Sequence, residues 1–460
     1  MPRPQPNGRS GKAKARAVTQ PSLRFLTLAL ELRENIYAHV LHNHPSSLVD
    51  LLLVNRQLSR EVKPFLYKLP WTFDGQSQLF EWLSKVDHAY LRHVEEIRFK
   101  LHDINPDEIV GALGKKLQNA NITRASGSRG PDTPDNPYFE ACRADLRRIG
   151  AAFRLLQNLR RLTILSASER DSQPHHRTQD AFSKLVGQCF PKLKFLASEE
   201  DQLPIDFISG KSELRTLRFP ATTSSEDEET EEIFSALSLT ELEICRFPHH
   251  TASGSEEWDC VTPVLESASA LRSLTLFERP GAETPNLAAE VFVGSQSALK
   301  RHRHSLRSLK LLAKPGPEYT ADEGGDPVRP EAYCAAFLAQ SSLTHVEFLD
   351  VWMSIYEHLP RTTQTVTWRL DEPPRPPNVA TSVARIKKMV THAAQMRGSP
   401  RDPRHPLLRR IVIHLDAFFP SDEIRRPDHP SNEILLMARA KLGQLGIRLD
   451  WKGWEGVPSL

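Results

Sequence analysis

Histidine and cysteine are the residues here best equipped for metal or nucleophilic chemistry, and their spacing argues against both uses. His175-His176 and His249-His250 are adjacent pairs in polar, proline-flanked stretches. Neither has a cysteine or carboxylate at zinc-ligand spacing, so both read as solvent-facing loop residues. Cys142, Cys189, Cys245, Cys260 and Cys334 are scattered, odd in number and contain no C-x-x-C pair. That argues against a disulfide framework or zinc module and fits a reducing cytosol or nucleus. No P-loop, G-x-G-x-x-G, G-x-S-x-G or H-E-x-x-H occurs. No nucleophile stands beside an identifiable base, so no catalytic residue, metal or cofactor is expected. A hydrolase reading would need a closed pocket holding such a pair.

Three other clusters stand out. Lys300–His304 (KRHRH) and Arg307 form a basic knot. It reads either as a solvated helix end before a strand or as a docking point for an acidic or phosphorylated segment. Glu226–Glu232 holds six acids in seven residues, preceded by Ser224 and Ser225, and reads as a solvated loop. Phe348, Trp352, Tyr356 and Trp368 read as core packing rather than a cofactor box.

The elements that carry these residues belong to an ordinary globular composition. The 460 residues are 39% hydrophobic and 25% charged, enough for two or more domains. Proline outnumbers glycine, 35 to 21, which implies many irregular loops. A net charge of only +3 gives no general reason for a nucleic-acid or anionic-membrane partner. No apolar run approaches the ~20 residues of a membrane span. Residues 1–22 begin with an acid-free basic stretch, and Pro2, Pro4, Pro6, Gly8 and Gly11 oppose an amphipathic presequence. A disordered basic tail is expected, with a weak nuclear signal as the alternative, and the location is cytoplasmic and/or nuclear.

Residues 23–75 are expected to form a small helical module. Leu28, Leu32, Ile36 and Val40 recur every four residues, Tyr37 and Leu41 widen the stripe, and Glu31, Arg33, Glu34 and His39 fall off it. Thr27 is the expected N-cap, and Asn43–Pro45 ends the helix. Leu48, Leu51, Leu52, Leu53 and Val54 cover most of a second helix capped by Ser46 or Ser47. A third, near Ser59–Tyr67, offers Val62, Phe65 and Leu66, with Pro64 expected to break or kink it.

The order L-x-x-E-L-R-x-x-I-Y-x-x-V-L followed by S-L-x-x-L-L-x-V-N-R-Q-L resembles the F-box-like module common in filamentous fungi. The resemblance covers about fifty residues and is carried by Leu28, Glu31, Leu32, Ile36, Leu52, Val54 and Arg56. It departs at Ala29, where the family usually has proline. The resemblance implies docking on the adaptor of an SCF-type cullin–RING ubiquitin ligase, and through it on a cullin. The implied contact residues are Leu28, Leu30, Glu31, Leu32, Ile36, Tyr37, Val40, Leu41, Leu48, Leu52, Val54 and Arg56.

Across residues 76–460 one phrase returns. It reads LRRLTI from Leu159, LRTLRF from Leu214, LRSLTL from Leu271 and LRSLKL from Leu306. Looser copies begin at Val94, Leu193, Leu239, Leu343 and Leu408. Recurrence every twenty to forty residues or so marks a solenoid. The last two apolar positions of each phrase lie two apart, so a strand points both to one face. Asp180–Phe190, Glu231–Leu237, Val261–Ser269, Ala288–Arg301 and Pro330–Gln340 carry helical spacing and would return the chain. Ile411, Ile413 and the segment ending at Trp451 suggest last strands around a helix at Ile434–Leu445.

This array is similar to the leucine-rich repeats often found behind F-box modules. The Asn or Cys of regular repeats is replaced by Ala167, Thr222, Phe247, Arg279, Lys314 and Val351, so an irregular solenoid is expected. Its long loops fall near 121–137, 220–232, 278–290, 314–330 and 371–380. The expected fold is α/β: a three-helix module, then short parallel strands and helices. The resemblance implies a non-catalytic substrate receptor bridging adaptor and an unknown target protein. A leucine-rich-repeat scaffold unconnected with ubiquitin is the other reading.

Overall fold

The computed structural model describes residues 25–102, 137–165, 176–198, 208, 211–220, 238–246, 261–268, 270–278, 288, 290–313, 329–369, 379–397, 405–414 and 430–452. The tail, the acidic run, His249-His250, Cys260, the helix expected at Glu231–Leu237 and nearly all of the five long loops lie outside them.

The chain divides into two compact units at Leu69–Pro70. The first contains a 3-10 turn, Phe25–Thr27, and three helices: α1 (Leu30–Asn43), α2 (Pro45–Val54) and α3 (Arg56–Leu66). Their caps differ from those expected. Helix α1 begins after Ala29, which occupies the cap position without a side-chain cap bond. His44 precedes α2, with Pro45 in its first turn, where a missing N–H has no partner to lose. Asn55 caps α3, its side chain accepting from the Leu58 N–H at 2.9 Å. That side-chain acceptor starts the helix three residues before Ser59, and Pro64 is contained within it.

The second unit is α/β. Twelve strands form one all-parallel sheet in which each pairs with its neighbours in sequence. They are β1 (Trp71–Phe73), β2 (Glu96–Lys100), β3 (Arg161–Leu165), β4 (Phe195–Ser198), β5 (Thr216–Pro220), β6 (Glu241–Arg246), β7 (Ser273–Glu278), β8 (Ser308–Leu312), β9 (His345–Leu349), β10 (Thr365–Arg369), β11 (Arg410–His414) and β12 (Arg448–Lys452). This is a solenoid-like order, one strand added per unit. Trp71–Phe73, which the sequence pattern places in the helical module, instead pair with Ile97–Phe99 as the first strand.

All nine recurring phrases are strands, and their register is continuous. Ile97, Leu162, Leu196, Leu217, Leu242, Leu274, Leu309, Val346, Val366, Ile411 and Leu449 lie side by side in one buried column. Two residues on, a second column runs from Phe99 through Ile164, Phe219, Ile244 and Phe348 to Trp368 and Ile413, also buried. The first apolar residue of each phrase, such as Leu159, Leu214, Leu271 and Leu306, makes a third. Stacking thus closes a core that no single unit could close.

Helices Pro137–Arg154, His176–Cys189, Val261–Ser267, Pro330–Gln340, Val379–Arg397 and Pro430–Gln444 return the chain between strands. The expected helix Ala288–Arg301 contains a π-helical turn at Glu290–Gly294 before regular helix at Gln296–Arg301. Phe348 and Trp368 meet edge-to-face at 6.0 Å, and the Trp352 indole donates to the Ala313 carbonyl at 2.7 Å. Those aromatics are core.

Candidate functional site

In the helical unit, Tyr37, Leu48, Leu58 and Val62 form a closed centre. Phe25 and Phe65 flank the Tyr37 ring at 5.8 and 5.6 Å. Beside it lies a polar lock that hydrophobic periodicity misses. Arg33, expected on the solvent side, is buried. Its Nε and Nη2 donate to the two carboxylate oxygens of Glu61 at 2.9 and 2.7 Å, and Nη1 donates to the Leu26 carbonyl at 3.2 Å. The Tyr37 hydroxyl and the Gln57 amide also donate to Glu61, at 2.8 and 2.9 Å. Of these four donors, the three from Arg33 and Tyr37 tie α1 to α3, and Gln57 donates from within α3 itself.

The electrostatics follow from that geometry. The hydrogen bond from Arg33 chiefly holds the Glu61 carboxyl down to about 2. Burial, helped by the Glu61 carboxylate, pushes the Tyr37 phenol up to about 12. Only an arginine spaced four residues before a buried tyrosine signals this arrangement in the sequence. Its acid lies 28 residues away.

The twelve residues expected to contact an adaptor separate into three groups. Tyr37 and Leu48 are fully buried, so they hold the helices together and do not offer surface. Val40, Leu41 and Leu52 are half-buried at the edge of that core, and Leu28 is half-buried before α1. Leu30, Glu31, Leu32, Ile36, Val54 and Arg56 are exposed. Leu32 and Ile36 are one helical turn apart on α1. On α2, Val49, which the sequence pattern did not single out, and Leu53, 85% exposed, are likewise one helical turn apart.

The second unit presents a different surface. Residues between the buried columns face the other side of the sheet and are largely polar. Carboxylates there sit between two cations. Glu96 lies 2.9 Å from Arg161 and 3.5 Å from Arg98. Glu347 is held by Lys310 at 3.6 Å and by Arg369. Asp450 takes Arg410 at 2.7 Å and Arg448 at 2.8 Å. Desolvation works to raise the Asp450 pKa, but the two arginines outweigh it and hold it below its ordinary value.

The basic knot is mostly built into the turns. His302 is buried and its Nε2 bonds the Leu265 carbonyl at 2.7 Å; burial lowers its pKa. Arg301 donates to the Glu266 carbonyl, Arg303 to Gln340 and Arg307 to the Ser342 carbonyl, at 3.0, 3.1 and 3.0 Å. His176 begins a helix, and His175 lies outside the described residues. Among the described residues no group of three His, Cys, Asp or Glu side chains is placed to hold a metal ion, and no helix is long and apolar enough to cross a membrane.

Scanned against models of protein families and compared with curated proteins, the chain finds no match in either.

Proposed function

We propose that this chain is the substrate-recognition subunit of an SCF-type cullin–RING ubiquitin ligase. The helical unit would dock on the ligase adaptor as an F-box-like module. The leucine-rich-repeat-like sheet unit would hold the target protein. The observation that carries the reading is the apolar surface left on α1 and α2. Leu30, Leu32, Ile36, Val49, Leu53 and Val54 remain exposed although the described residues of the unit already form a buried core.

The Arg33–Glu61–Tyr37 lock supports this reading. It fixes α1 against α3 without using the exposed apolar residues, so a partner meets a pre-organised face, which reduces the ordering cost of binding. A standard interface needs about 800 Å² from each side, within reach of one face of two or three short helices. Exposed Glu31 and Arg56 would supply polar contacts at the rim. Tyr37 and Leu48 act from beneath.

The contribution to ubiquitin transfer is proximity, not chemistry. Binding adaptor with one unit and target with the other raises the target's effective concentration at the ligase. The partners are the adaptor, through it a cullin, and a target protein, in cytoplasm or nucleus. No cofactor enters this role.

The test is size-exclusion chromatography of the purified chain with the adaptor. Co-elution is the expected result. A chain that never co-elutes with the adaptor is instead a leucine-rich-repeat scaffold.

A further inference from the structure

Most outward rows of the sheet mix acids with bases, but the row where the strands begin is basic along nearly its whole length. Its order is Glu95, Arg160, Lys194, Arg215, Thr240, Arg272, Arg307, Thr344, Gln364 and Arg409. Each carbonyl in this row receives the next member's N–H and the N–H that follows; Arg160, for example, accepts from Lys194 and Phe195 at 2.8 and 3.0 Å. The ten residues are therefore true neighbours across β2 to β11. They set six cations against one carboxylate, in a chain whose total charge is only +3. All six cations are exposed.

Architecture does not require them. Thr240, Thr344 and Gln364 fill the same backbone position and pass on the same hydrogen bonds. Arg215 and Arg307 do brace the next turn, donating to the Ser238 and Ser342 carbonyls at 3.2 and 3.0 Å. Arg160 reaches Glu95 at 3.8 Å. Among the described residues, Lys194, Arg272 and Arg409 make no side-chain hydrogen bond or ion pair. Lys194 moreover lies between Arg160 and Arg215, where like charges on adjacent strands repel.

We propose that this row is a docking track for an extended acidic polypeptide segment laid across the strands. Neighbouring strands lie about 4.8 Å apart, and an extended chain advances about 3.3 Å per residue. Acids at every first or second position therefore keep pace with the row. Arginine suits that partner because its planar fork takes a carboxylate bidentately. A nucleic acid fits less well. The row has no aromatic side chain for base stacking, and Glu96 and Glu241 in the next row oppose closely spaced phosphates. Phe195, also in that row, already lies under the Arg161 guanidinium at 4.0 Å. The inference names the target chemistry for the sheet unit under the proposed function, and it does not depend on adaptor docking.

The experiment is fluorescence anisotropy of the full chain with a labelled oligoglutamate of roughly 12 residues, about the length that spans from Arg160 to Arg409. The wild type should bind, with affinity falling steeply as salt rises. The triple variant Lys194→Glu, Arg272→Glu, Arg409→Glu should lose at least about tenfold in affinity. Reversal of three exposed cations elsewhere, Arg60→Glu, Lys387→Glu and Lys441→Glu, should change it by less than about twofold. If the reversed row variant loses its far-ultraviolet circular dichroism, Lys194→Thr, Arg272→Thr and Arg409→Thr replaces it, using a residue the row already tolerates. No binding by wild type, equal losses in row and control variants, or tighter binding of a single-stranded oligonucleotide of equal charge overturns the proposal. The row variant should still co-elute with the adaptor, so failure here and failure of the ligase reading are separable.

Discussion

The two units treat apolar surface in opposite ways. Eleven large hydrophobic side chains are exposed among the described residues, and seven of them lie between Leu26 and Val54. The sheet unit, many times longer, exposes Leu155, Leu407, Leu436 and Met437. Most strands there send their apolar residues to one stacked core and turn polar or charged residues the other way. Scattered single exposures are ordinary, but here they concentrate on two short helices, which is what the proposed docking surface rests on. The sheet unit thus buries most of its apolar side chains, whereas the helical unit leaves several leucine, isoleucine and valine side chains exposed beside its own core.

The sharpest way to break that contrast is to truncate one side chain of each kind. Trp352→Ala, at a fully buried position, should cost about 3–5 kcal/mol in urea unfolding. Leu53→Ala should stay within about 0.5 kcal/mol, because a surface truncation leaves no cavity. Equal costs would mean that Leu53 is not the exposed residue described.

Within the helical unit, Tyr37→Phe removes one donor to Glu61 and should cost about 1 kcal/mol. Acid sharpens this further. Glu61 has a folded pKa of about 2 against an ordinary 4.5. Its contribution is therefore fully present above about pH 4.5 and is lost as pH falls toward 2. Glu61→Gln should flatten that part of the stability profile, followed by circular dichroism across the acid range.

The sheet unit has a titration of the same sign in an alkaline window. Lys211 is buried, its Nζ donates to the Gly187 carbonyl, and burial lowers its pKa to about 8. The folded state then holds fewer protons than the unfolded one between about pH 8 and the ordinary 10.5, so stability rises through that window. Lys211→Met should remove the rise. A small effect is also expected at Ala29, whose φ of −56° proline can adopt. Ala29→Pro should change stability by less than about 1 kcal/mol while restoring the residue usual in F-box-like modules.

The strands were legible because each phrase repeats the same three apolar offsets. Strand β10 escaped because Thr363, fully buried, stands where the other phrases have leucine, before Val366 and Trp368. β1 escaped because three residues carry too little pattern to separate strand from helix. Inside the candidate site, periodicity located the three helices but misassigned two kinds of residue. It could not foresee that Arg33 is neutralised by an acid on another helix, and so it left a buried charge on the solvent side. It also could not tell which members of a broad apolar stripe close the module's own core, as Tyr37 and Leu48 do, and which remain outside, as Leu32 and Ile36 do.

Calorimetric titration of the ligase adaptor into wild type and into Leu32→Asp, Ile36→Asp and Leu53→Asp variants tests the docking proposal most directly. Each exposed-residue variant should keep the wild-type melting temperature and lose at least about tenfold in affinity. Unchanged affinity in all three, or no wild-type binding, would contradict it.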